Sequence, residues 1–174
     1  MIICYLNIIK KLLNILLKKH DILYIMNELI NALIKLQSEV FKMYSQAHGY
    51  HWNIEGRMFK QDHAFLLEIY EDVYDSIDPI SENLRKLGTK APFGPLQWLK
   101  NSALQINDSL NLSSHDMLQE LYNTNNLVIN SLTDAFDKAD AIDSQGICNF
   151  LADRIDKHQF WAWQLKSSLK PSVE

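Results

Sequence analysis

The chain has 174 residues, 47% of them hydrophobic, enough for one domain with a substantial core. Five Gly and four Pro are too little punctuation for a many-stranded fold, and two isolated cysteines, Cys4 and Cys148, point away from a disulfide framework or a thiolate zinc site and towards a reducing, cytoplasmic compartment. The formal charge of −4 argues against a uniformly basic nucleic-acid binder and leaves acidic metal sites open.

That charge is uneven. In residues 1–25, Lys10, Lys11, Lys18 and Lys19 against Asp21 give +3, so the remainder carries −7. Lysine pairs interrupt every apolar stretch here before the roughly 18 residues a membrane-spanning helix needs. The pattern is not that of a secretory signal either, because the positive charge does not come first and no small-residue cleavage site follows. Asn7, Lys11, Asn14 and Lys18 recur at helical spacing opposite Ile2, Leu6, Ile9, Leu13 and Leu16, the pattern of a basic amphipathic helix. Residues 1–25 are expected as an extension to a domain spanning 26–174. They could be a cationic arm on DNA phosphates, a helix lying on a membrane surface, an inert appendage, or sequence upstream of a true start at Met26.

From Met26 the periodicity stays helical. Leu29, Leu33, Leu36, Val40 and Met43 form one face, with Lys35, Glu39 and Lys42 outside it, predicting a helix over about 27–53 that stops near Gly56. A second helix is predicted from near Phe59 through Phe65, Leu66, Ile69, Val73 and Ile77 to Leu87, stopped by Gly88. Thr89–Leu112, with Pro92, Gly94 and Pro95 ahead of Leu96, Trp98 and Leu99, reads as a long crossover holding a short helix. Ser113 or Ser114 can cap the third long helix, whose face is Met117, Leu121, Leu127, Val128, Leu132 and Phe136. The fourth is predicted over about 144–169 through Phe150, Leu151, Ile155, Phe160, Trp161 and Leu165, with Cys148 as a small core residue. Four helices with one long connection between the second and third is the topology of an all-α, ferritin-like four-helix bundle.

The stretch His51–His63 and the pair Asp78 and Glu82 are the candidate chemistry. Asp78 and Glu82 share a helix face and, with imidazoles, suit iron, zinc or manganese. The alternatives are histidines that only hydrogen-bond and an Asp78–Pro79 pair that caps or kinks the second helix. No Glu-x-x-His occurs in the chain, so a di-iron centre inside the bundle is not expected. Asp78 lies about 22 Å along the helix from His63 at about 1.5 Å per residue, so the two clusters can meet only across a twofold contact between copies.

His51, Trp52, Asn53, Gly56, Phe59 and His63, followed by Asp78 and Glu82 and by the short crossover helix, resemble the signature of the Dps family over about residues 26–169. The resemblance implies a hollow twelve-subunit homo-oligomeric shell. In it ferrous iron would be oxidised by peroxide or oxygen at interfaces and stored, with His51 and His63 meeting Asp78 and Glu82 of a partner, and Trp52 beside the centre as a radical quencher; a buried packing tryptophan is the equal alternative. The family places an aspartate four residues after the second histidine; here Leu67 stands there, and Glu68 is rotated by about 100°. Asp134, Asp137, Asp140 and Asp143 would, by the same resemblance, line iron pores; a solvated helix end is the alternative. His48 could be a further metal contact or a surface residue, His158 reads as structural, and His20 and His115 carry no signal. The competing function is a DNA-binding or structural helical shell whose oxidase activity is weakened or lost.

Overall fold

Between Ile2 and Asn53 the sequence holds no proline and one glycine, Gly49, so nothing breaks the helical hydrogen-bond ladder. The computed structural model shows a single helix there, α1 (Ile2–Asn53). The structure describes residues 2–171, with side chains from Lys11 onward except Leu12 and Leu13. The readings made above for the side chains of Ile2, Cys4, Leu6, Asn7, Ile9, Lys10 and Leu13 lie outside the described residues. The first bundle helix therefore starts well before the predicted Asn27. What changes near Met26 is burial: residues 14–24 are exposed, whereas Leu29 and Leu33 are fully buried. Among the described residues no helix is long and apolar enough to cross a membrane.

The second bundle helix comes in two pieces, α2 (Phe59–Asp75) and α3 (Ile77–Lys86), joined at Ser76. Sequence periodicity alone made it continuous. Pro79 explains the break, because its ring clashes with a carbonyl four residues back and it donates no amide bond. Restarting at Ile77 puts the proline in the first turn of α3, where its amide has no helical partner to lose. The Ser76 hydroxyl donates to the Val73 carbonyl at 2.7 Å, beside the Ser76 amide at 3.3 Å, and closes the end of α2. Helix α3 ends at Gly88 (φ +83°), with the Thr89 amide on the Leu84 carbonyl and the Gly88 amide on that of Arg85, the paired bonds of a glycine-terminated helix.

The crossover carries α4 (Pro95–Asn101), with Pro95 in its first turn. It is fastened to α1 in two ways. Trp98 stacks on Phe41 with ring centroids 3.9 Å apart. Lys42 Nζ donates to the carbonyls of Ser102 at 2.7 Å and Leu104 at 2.9 Å, while the Ser102 hydroxyl donates to Glu39 Oε1 at 3.0 Å. Glu39 and Lys42 are therefore buried, contrary to the expectation that they face water. A four-residue period shows which face a charge lies on, and cannot show that a distant loop covers that face.

Helix α5 (Ser114–Asp140) starts on the Ser113 hydroxyl, which accepts from the Asp116 amide, and α6 (Gln145–Ser168) packs along it. Leu66, Ile69, Ile80, Leu121, Leu132, Leu151 and Leu165 are fully buried with the α1 stripe in one core. Each such side chain contributes about 1.5–3 kcal/mol relative to exposure. Leu127 and Phe160, assigned above to the core faces, are instead 49% and 43% exposed. Small and polar residues of α5, Thr124, Asn125, Ser131 and Ala135, occupy its inner face as well.

Those polar residues meet a buried network. Arg154 of α6 holds Asp72 of α2 with two bonds of 2.9 and 2.8 Å, and Trp161 Nε1 donates to the same carboxylate at 2.8 Å. Burial alone would raise the Asp72 pKa, but the Arg154 and Trp161 hydrogen bonds and the arginine charge hold it below the usual range. His158 is fully buried; its Nδ1 meets Asn125 Oδ1 at 2.7 Å and its Nε2 meets Arg154 at 3.3 Å. Loss of hydration, then the neighbouring guanidinium, push its pKa down to about 3, so it is a neutral structural histidine, as read from the sequence. Cys148 is buried, which raises its thiol pKa.

Candidate metal centre

The end of α1 and the start of α2 are brought side by side by the turn at Gly56 (φ +106°), a backbone conformation that favours glycine. His51 lies in the last turn of α1 and His63 in the second turn of α2. Their rings stack with centroids 3.7 Å apart and planes 21° apart. Each is fixed by the other's backbone: His51 Nδ1 lies 2.8 Å from the His63 carbonyl, and His63 Nδ1 lies 2.8 Å from the His51 carbonyl. A carbonyl oxygen only accepts, so both Nδ1 atoms carry the proton and both Nε2 atoms keep a free lone pair. An Nδ1–H bonded to a carbonyl is the arrangement that orients a metal-binding imidazole. Both rings are half-buried.

Around them lie His48 and Trp52 and two tyrosines, Tyr44 and Tyr70, that the sequence reading passed over. His48 does face the same side as His51, with ring centroids 6.2 Å apart. It stacks on Tyr70 at 4.1 Å and its Nδ1 lies 3.2 Å from the Tyr44 hydroxyl. Burial, then the adjacent His51, lower the His48 pKa. Tyr44 precedes His48 by four residues and Tyr70 follows His63 by seven, both same-face spacings that could have drawn attention to them. Trp52 packs beside His48 at 4.2 Å and is 67% exposed, so it is not part of this chain's own core. Leu67 is half-buried one turn beyond His63, so no carboxylate stands at that position.

Asp78 and Glu82 are exposed on α3, one turn apart, and Asp78 lines an open cleft of about 520 Å³ with Phe41, Tyr74 and Trp98. Asp78 sits in the first turn of α3, where an acidic side chain complements the helix dipole. Among the described residues no three His, Cys, Asp or Glu side chains gather into a group able to hold a metal. The structure thus brings His51 and His63 together and does not bring Asp78 and Glu82 to them within one chain. Asp134, Asp137, Asp140 and Asp143 are all exposed, with Asp134 paired to Lys138.

The ferritin-like domain family matches residues 28–171, which excludes most of the protruding start of α1. The chain is 22% identical over 134 residues to the DNA protection during starvation protein of Helicobacter pylori, covering 77% of this chain and 93% of that one. The Dps protein of Vibrio cholerae O1, described as a member of a broad superfamily of ferritin-like diiron-carboxylate proteins, superposes with a TM-score of 0.79 at 25% identity, covering 84% of this chain and 92% of that one. Dps from Thermosynechococcus elongatus shares the fold with a TM-score of 0.83 at 21% identity, covering 87% and 96%. The family match, the bundle with its short crossover helix and the paired histidines lead to one conclusion: the chain belongs to the ferritin-like domain family, and within it to the Dps proteins.

Proposed function

We propose that this protein binds and oxidises ferrous iron at centres shared between two copies of the chain, with hydrogen peroxide or oxygen as acceptor, and holds the ferric product inside a closed homo-oligomeric shell. The observation that carries this reading is the reciprocal bonding of His51 and His63, which leaves two Nε2 lone pairs fixed in neighbouring positions. Two imidazoles alone make a weak site for a hard cation, and the carboxylates that would complete it are exposed at the far end of the same bundle helix. A twofold contact sets the histidine end of one copy against the acidic end of the other and closes two centres at once. Asp78 and Glu82 of the partner would then bind the ferrous ion opposite the histidines. Trp52, exposed beside His48, would give up an electron to radicals formed there. With Leu67 in place of a carboxylate, one iron per centre binds firmly and a second weakly.

Aerobic ferrous titration tests this directly. The wild-type chain should oxidise iron well above the rate of a His51→Ala, Asp78→Ala double variant; equal background rates would sink the reading. A monomer by light scattering would sink it independently. A second reading has its own observation, the exposed Lys11, Lys18 and Lys19 on a helix that leaves the bundle. These suit a phosphate backbone, and gel-shift of DNA at low salt, lost at high salt and on removal of residues 1–25, tests that role.

A further inference from the structure

The histidine pair stands at one end of a file of rings. His51 meets Tyr70 edge-on at 5.2 Å, and Tyr70 lies flat on His48. Beyond His48, Tyr44 follows at 5.5 Å, and from Tyr44 the file forks to Tyr74 at 5.1 Å and to Phe41 at 6.1 Å, which carries the stacked Trp98. Trp52 joins it from the outside through His48. Two of its members lie outside this chain's own core: Tyr74 is 57% exposed and Trp52 67%. Tyr44, Tyr70 and Tyr74 line one open cleft of about 430 Å³, and Tyr74 also lines the cleft that holds Asp78. The rings therefore run from the histidine half-site towards the carboxylate half-site.

One contact in the file is chemical rather than steric. The Tyr44 hydroxyl is hydrogen-bonded to His48 Nδ1 at 3.2 Å. A phenol that loses an electron must also lose its proton, so it gives up the electron readily only with a base already in contact. Among the described residues Tyr44 is the phenol of the file that has an imidazole as hydrogen-bond partner. In the Nε2–H tautomer of His48, Nδ1 is the acceptor in this contact and stands ready to receive that proton.

We infer that Tyr44 and His48 form a proton-coupled electron donor to the iron centre, with Tyr70 and Trp52 as the rings that relay the charge. This rests on the iron-oxidising reading above and addresses an electron mismatch within it. Peroxide accepts two electrons, whereas a centre holding one ferrous ion supplies one. The second comes from Tyr44. The O–O bond breaks, both oxygens leave as water with two protons from solvent, the ferrous ion becomes ferric, Tyr44 becomes a neutral phenoxyl radical, and its proton rests on His48 Nδ1. A later ferrous ion returns the electron to Tyr44 as His48 returns the proton.

The relay is testable without iron. In metal-free Trp163→Phe protein, which leaves Trp52 as the strongly exposed indole, azide radicals from pulse radiolysis oxidise Trp52. The indolyl absorption should decay as phenoxyl absorption grows, at a rate independent of protein concentration. Tyr44→Phe and His48→Gln should each cut that growth about tenfold, while Tyr70→Phe, which keeps the ring, should leave it nearly intact. Equal growth in the Tyr44→Phe and Tyr70→Phe proteins, or none in the parent, overturns the inference. A second arm mixes one equivalent each of ferrous iron and peroxide, follows iron oxidation optically and reads the frozen sample by electron paramagnetic resonance. Iron oxidised with no tyrosyl signal overturns the relay and leaves the iron chemistry standing. Failure to oxidise iron overturns the functional reading, and the metal-free arm then still decides whether Tyr44 donates.

Discussion

The buried His158 makes stability depend on pH in a calculable way. Its pKa falls from 6.5 in an unfolded chain to about 3 in the fold. The unfolded state therefore binds a proton below about pH 6.5 that the folded state refuses until near pH 3. Stability from this group is intact above pH 6.5 and is lost as pH falls through that window. A shift of this size corresponds to about 4–5 kcal/mol in total, and about 3 kcal/mol of it is spent between pH 7 and pH 4. His158→Gln keeps a donor for Asn125 and an acceptor for Arg154 and takes up no proton. The variant should be less stable than wild type by about 1–2 kcal/mol at pH 7.5, because glutamine fits the bonds less well. It should then draw level with or overtake wild type near pH 4. His48, whose pKa is also lowered, acts in the same direction in both chains and cancels in the difference. The measurement is urea unfolding followed by circular dichroism at one fixed protein concentration, from pH 7.5 to 4. Parallel stability curves for the two proteins would refute the reasoning, as would a His158 ring signal that titrates near 6.5 in the folded state.

Lys42→Met orphans the two buried carbonyls of Ser102 and Leu104 and leaves the Ser102–Glu39 bond in place; it should cost about 2–3 kcal/mol and speed proteolysis within residues 89–112, read by denaturant melts and peptide mapping. Mixing a His51→Ala, His63→Ala chain with an Asp78→Ala, Glu82→Ala chain, followed by unfolding and reassembly, should restore roughly a quarter of wild-type iron oxidation, because random pairing leaves one centre in four intact. No recovery above the two parents would exclude a centre shared about a twofold axis. Leu67→Asp should raise tightly bound ferrous iron from about one to about two per centre by calorimetry under anaerobic conditions.

Much of this fold could be read from apolar spacing. The α1 stripe from Leu29 to Met43, the stop at Gly88 and the Ser113 cap all follow from local chemistry that a sequence displays. The failures share a different cause. Glu39 and Lys42 are buried by a segment about sixty residues away, and Leu127 is exposed because short-range spacing does not set the width of the apolar face. Pro79 was visible, yet it moves the break three residues upstream to Ser76, since a proline acts on the turn before it. For the candidate centre, the spacing of His51 and His63 was legible, while their mutual carbonyl bonds were not. Those bonds depend on how closely two helices approach.

That approach has a consequence for how such a site would work. Both bonds that orient the imidazoles close within one chain, across the α1–α2 contact and its Gly56 turn. The two lone pairs are therefore aimed before any metal or second copy arrives, and metal binding need not first recruit a partner to set their direction. The carboxylates differ. Asp78 and Glu82 are exposed, and their placement is inherited from the break at Ser76, which sets the course of α3. The half-site held by packed backbone is then the rigid one, and the half-site that adapts to the bound ion is the acidic one. An oxidation that changes the charge of the ion needs ligands that can move with it, and carboxylates that no packing in their own chain holds move more freely than rings clamped between two helices.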